Sequence, residues 1–179
     1  MLWRFCGRKN PRSGRFSNTS SVANGFSTAI VSDSGSVLMD ARLTGTRTDG
    51  WGHAMIFLSR INDRQLIKTN TGNITFKGYG DVLQIDASGL QFQVNTSGGG
   101  ISVVSSTGDI YMQGFQASRS TAAANNAMRF TPGASIGSIR FGAANDTASY
   151  SGKLTFEADS IWNNTGNTSA PGAMPVFFE

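Results

Sequence analysis

The strongest constraint on this chain is a short pattern that keeps returning: Gly, any residue, an aliphatic residue, any residue, Phe or Met, and a small residue two positions on. It stands as Gly35-Ser-Val37-Leu-Met39-Asp-Ala41, Gly72-Asn-Ile74-Thr-Phe76-Lys-Gly78, Gly108-Asp-Ile110-Tyr-Met112-Gln-Gly114, Gly137-Ser-Ile139-Arg-Phe141-Gly-Ala143 and Gly152-Lys-Leu154-Thr-Phe156-Glu-Ala158. Apolar residues at every second position make a strand with one face to bury. Gly35, Gly72 and Gly108 lie 37 and 36 residues apart, and a weaker copy, Gly89-Leu90-Gln-Phe92-Gln-Val94, falls near the midpoint. Self-similarity at a fixed period marks a solenoid, and the half-period predicts coils of roughly 18 residues.

Composition agrees. The 179 residues include 22 Gly, only 15% are charged, and Glu occurs only at Glu157 and Glu179. Surface helices draw on Glu, Lys and Ala, whereas Gly, Ser, Thr, Asn and Asp make corners, so the expected fold class is all-β. A parallel β-helix, or β-solenoid, accounts for the long 36-residue echo; a β-sandwich is the alternative, since it too has short strands at close intervals. The outward positions Asn73, Thr75, Lys77, Asp109, Tyr111, Gln113, Lys153, Thr155 and Glu157 are polar or amphipathic.

Three regions follow. Residues 1–26 read as a basic, Ser/Asn-rich leader, expected to be disordered; residues 27–162 as the solenoid; residues 163–179 as an irregular tail. Ser118 to Asn126 reads as a loop or short helical insertion. The apolar end without a polar cap suggests a piece of a longer chain, flanked by further repeats. Of the 15 basic residues, Arg4, Arg8, Lys9, Arg12 and Arg15 lie in the leader, so the net charge of +4 belongs to that arm and the rest is near neutral. That distribution argues against a nucleic-acid partner for the domain. Cys6 is the only cysteine, which excludes an intramolecular disulfide and a Cys-based zinc site. No apolar stretch approaches the length needed to insert across a bilayer, and residues 1–16 have no signal-peptide pattern.

The copies TGNITFKG, TGDIYMQG and SGKLTFEADSIWNNTG resemble the repeats of filamentous-haemagglutinin-type and autotransporter adhesins of Gram-negative bacteria, over about residues 35 to 165. The resemblance implies a right-handed parallel β-helix. It also implies a structural or adhesive role at the outer-membrane surface or outside the cell, with host glycans or surface proteins as partners and no cofactor. A carbohydrate-active β-helix enzyme and a phage tail-spike or fibre segment are the alternatives.

The chemistry-bearing residues are sparse. His53 is the only histidine, so a two-histidine metal site cannot exist and a catalytic triad has a single possible base; its expected role is structural. Asp40, Arg42, Arg47 and Asp49, joined by Asp81 and Asp86, would suit sugar cleavage if two carboxylates faced one groove. The expected alternative is strand-end pairing on a solvated face. Ser97-Gly98-Gly99-Gly100 precedes no helix and reads as a corner, not a phosphate cradle. The expected binding residues are the surface aromatics Trp51, Tyr79, Tyr111 and Trp162, whose rings could hold sugars or a partner protein.

Overall fold

The computed structural model describes residues 2–6, 14–16, 28–46, 52–60, 63–83, 87–95, 98–118, 126–132, 138–143, 148–162 and 176–178. These carry strands and no helix: β1 (Leu2–Cys6), β2 (Gly14–Phe16), β3 (Thr28–Ser32), β4 (Val37–Thr46), β5 (Met55–Ser59), β6 (Arg64–Thr69), β7 (Ile74–Leu83), β8 (Ser88–Val94), β9 (Gly100–Val104), β10 (Ile110–Ser118), β11 (Asn126–Thr131), β12 (Ser138–Gly142), β13 (Leu154–Trp162) and β14 (Val176–Phe178). Sheet A has the order β1-β4-β7-β10-β13, sheet B the order β14-β11-β8-β5-β2, and sheet C the order β12-β9-β6-β3. Every pairing in them is parallel. The chain therefore visits A, B and C in turn and begins again one layer along. It is a parallel β-helix with three faces, and the antiparallel sandwich is excluded.

The coil is twice as long as the half-period predicts. Val37 pairs with Ile74, and Ile74 with Ile110, so one coil takes 36 to 37 residues. Gly89-Leu90-Gln-Phe92 is not the next coil; it is the sheet B strand of the same coil as Ile74, and Leu90 pairs with Met55 and Met128. The half-period arises because two faces of one coil fill one core with similar wording, aliphatic-x-Phe after a glycine that stands two positions ahead at Gly72 and one position ahead at Gly89. The motif copies at Gly137 and Gly152, only 15 residues apart, likewise belong to different faces, and the coil from Ile110 to Leu154 is itself longer, at 44 residues. Ile139 is in sheet C, opposite Ile101, and Leu154 is in sheet A, opposite Ile110. With five strands in sheet A, the stack is about 19 Å tall at the usual strand spacing.

Pairing extends past the boundaries expected for the solenoid. Leu2–Cys6 pairs with β4 and Gly14–Phe16 with β5, inside the stretch read as leader, and Val176–Phe178 pairs with β11 inside the stretch read as tail. The insertion read at 118–126 lies outside the described residues, save for its ends in β10 and β11.

In-register stacking turns the alternation into columns. Val37, Ile74 and Ile110 form one inward column of sheet A and Met39, Phe76 and Met112 the next, all at most 2% exposed. From sheet B, Phe57 stacks on Phe92 at 4.8 Å and 8°, and Phe92 on Phe130 at 5.5 Å and 3°. From sheet C, Phe141 meets Phe92 and Phe130 edge-on at 5.2 and 5.8 Å. Stacked and edge-to-face pairs each add something beyond their buried area.

Corners are held by side chains that reach the next layer. Between sheets C and A, Ser36 Oγ accepts from Asn73 N at 3.1 Å, Asn73 Oδ1 from Asp109 N at 2.8 Å, and Asp109 Oδ1 from Lys153 N at 2.8 Å. Beside this ladder stand Gly35, Gly72, Gly108 and Gly152. A Cβ on Gly108 would lie 2.1 Å from the Gly72 carbonyl oxygen, so the repeating glycine is needed because successive turns touch backbone to backbone. Phe92 sits at 0% exposure, whereas Phe156 in β13 is 40% exposed. Phe92→Ala should therefore cost about 3–5 kcal/mol in urea unfolding, and Phe156→Ala less than half as much; equal costs would contradict the stacked core.

Candidate functional site

Outward positions of sheet A also form columns. One reads Asp40, Lys77, Gln113, Glu157 and the next Arg42, Tyr79, Phe115, Asp159. Between them runs a groove of about 370 Å³ lined by Asp40, Arg42, Lys77, Gly78, Tyr79, Gln113 and Phe115. That volume is at the small end of ligand sites. Its floor is backbone, because the intervening residues point inward. A Cβ at Gly78 would lie 2.0 Å from the Gly89 carbonyl oxygen, so sheets A and B press together directly beneath the groove and leave the floor no room to sink.

The two walls differ in kind. Tyr79 and Phe115 stack at 4.6 Å and 6°, and the Arg42 guanidinium carbon lies 4.4 Å from the Tyr79 centroid. Arg42 comes from β4 and Phe115 from β10, on opposite sides of β7, so both faces of Tyr79 are occupied. A ligand in the groove meets the edge and hydroxyl of Tyr79, not its face. The opposite wall is polar. Among the side chains the structure describes, none forms a hydrogen bond or ion pair with the side chain of Asp40, Lys77 or Gln113, although Asp40 and Lys77 stand side by side in register. Lys77 leans toward Tyr111, its ammonium 6.0 Å from that ring, near the limit of a cation–π contact.

Of the four expected binding aromatics, two stand on the outward face of sheet A, and only Tyr79 lines the groove. Tyr111 stands on the same face one coil along, opposite Thr75. Its hydroxyl donates to Glu157, and that bond, with lesser help from burial and from the carboxylate's charge, pushes the phenol up to about 12. Trp162 is described only by its backbone, opposite Ser118 at the end of β13, and Trp51 lies outside the described residues. The acidic-basic stretch divides likewise: Asp40 and Arg42 line the groove, while Arg47, Asp49 and Asp86 lie outside the described residues. Phe115, which is not among the expected binding residues, lies one coil length from Tyr79. Lys77 and Gln113 were read only as outward polar positions.

His53 is buried at 2% exposure with Nδ1 2.7 Å from Ser88 Oγ; Ser88 Oγ in turn donates to Gln91 Oε1 at 3.3 Å. Burial, with a smaller contribution from Arg129, pushes its pKa down to about 3. The imidazole is thus a neutral member of a buried polar cluster with Ser88 and Gln91 in sheet B, away from the groove. Among the described residues no three His, Cys, Asp or Glu side chains gather to hold a metal ion. Comparison with known protein families, curated proteins and solved structures finds no match.

Two titrations test these assignments. An unfolded histidine binds its proton near pH 6.5, the native His53 only near 3, so its contribution to stability is complete above 6.5. As pH falls from 6.5 towards 3 it is lost at about 1.4 kcal/mol per unit. The stability difference between the wild type and His53→Asn should shrink with that slope; a difference flat with pH would refute the buried neutral imidazole. For the phenol, Glu157→Gln should return one of the three tyrosines from about 12 towards 10 in an absorbance titration, and no change would break the Tyr111–Glu157 pairing.

Proposed function

We infer that this protein is a non-enzymatic β-solenoid scaffold of the adhesin type, exposed at a bacterial surface or secreted, whose sheet A groove holds glycans. The observation that carries the reading is the polar wall: Asp40, Lys77 and Gln113 offer donors and acceptors that no described side chain hydrogen-bonds or ion-pairs, over a floor where two backbones meet closely at Gly78 and Gly89. Hydroxyl-rich ligands are recognised by convergent polar groups with donors and acceptors to spare; ordering such side chains at binding costs roughly 0.5–1.5 kcal/mol each, so a second wall that is already fixed lowers the total cost. The Arg42–Tyr79–Phe115 stack supports this by fixing the other wall. The motif resemblance to surface adhesins points the same way.

Binding is favoured over cleavage by the carboxylate inventory. Glycoside hydrolysis in most families uses two carboxylates flanking the bond, and the groove lining contains one, Asp40. A screen of immobilised glycans should give binders that shift amide resonances of β4, β7 and β10, and Gln113→Ala or Tyr79→Ala should weaken them about five- to tenfold. Binding indifferent to both substitutions, or shifts confined to another face, would overturn the reading.

A further inference from the structure

We propose that the groove selects a carboxylated sugar, with the ligand's carboxylate seated between Arg42 and Lys77; the proposal rests on the glycan reading above. The groove carries two cations and one anion, and the cations are not equivalent. Arg42 is fixed against Tyr79 at 4.4 Å, so its planar fork is oriented before any ligand arrives, and a guanidinium in that state matches a carboxylate with two parallel hydrogen bonds. Stacking engages the face of the guanidinium and leaves the N–H groups at its rim able to donate. Lys77 is the opposite kind of donor, a point charge on a flexible stem. It leans away towards Tyr111 across a marginal 6.0 Å contact, which a carboxylate in the groove can outcompete.

The two cations stand on adjacent strands, offset by two residues: Arg42 is opposite Tyr79 and Lys77 opposite Asp40. That diagonal is bridgeable by one carboxylate approached from both sides. Asp40 borders both cations and repels the same anion, so it tunes selectivity by weakening what Arg42 and Lys77 attract. A neutral sugar pays no such penalty and gains no such contact. The ring edge of Phe115 and the amide of Gln113, one coil on, are left for the remainder of the sugar.

The probes are tri-galacturonate, its methyl ester and triglutamate, followed by resonance shifts and calorimetry at low salt on the full chain. The acid should bind about tenfold more tightly than its ester, which is about 1.4 kcal/mol, and the difference should shrink in 0.5 M salt because exposed charges are screened. Arg42→Gln and Lys77→Gln should each reduce the preference for the acid, and Asp40→Asn should enlarge it. These positions face solvent, so unchanged urea midpoints will show that the variants fold. Equal binding of acid and ester would overturn the carboxylate proposal while leaving a glycan groove. Triglutamate binding as well as the uronide would also overturn it, since charge alone would suffice. Failure of both sugars to bind would overturn it together with the glycan reading.

Discussion

The interaction on which everything else depends is the parallel hydrogen-bond ladder between one coil and the next. Parallel strands leave each residue opposite its counterpart one turn later, so a side chain's nearest neighbour outside its own strand is the residue about 36 positions on. Like is placed on like. Columns of Val, Ile and Ile, or of Met, Phe and Met, are apolar throughout because a polar residue would bury itself against two apolar neighbours at a cost of several kcal/mol. The ladder thus converts a one-dimensional repeat into a three-dimensional core.

That conversion explains what could be read beforehand and what could not. The sheet A strands were legible because one face is buried and the other solvated: Ile74, Phe76 and Gly78 point in, Thr75, Lys77 and Tyr79 out. Sheet B was harder. Its strand Met55–Ser59 is buried at every position, and a run covered on both sides has no period to detect. Coil length was misjudged for a related reason. Period counting registers every strand that wears the glycine motif, and it cannot distinguish the next face from the next turn; only the pairing of Ile74 with Ile110 settles which is which. Of the site, Tyr79 was visible as an outward aromatic. Its occupied faces were not, because they depend on Arg42 and Phe115, which are distant in sequence and adjacent only once the true period is known.

The groove inherits its form from the same ladder. Its floor is where Gly78 meets Gly89, a contact between two sheets of one coil, and its walls are columns two residues apart on three successive strands. Neither wall contributes to the inward core. The polar column can therefore change residue by residue with little effect on folding, whereas the glycine beneath it cannot. Fold and recognition are placed on alternate positions of the same strands.

The aromatic wall is the exception to that division. A ring on the outward face of an isolated strand would swing between rotamers. Here Tyr79 is clamped from both sides at about the spacing that the ladder imposes on any pair of registered residues. Stacking restricts rotation about its side-chain bonds and removes its faces from use, so the wall recognises ligands through edges, hydroxyl and guanidinium. Tyr79 is thus less a sugar platform than a brace for Arg42. A brace of this kind matters most where the ligand demands a fixed direction, because a planar cation that is already oriented loses little further freedom when it forms paired hydrogen bonds.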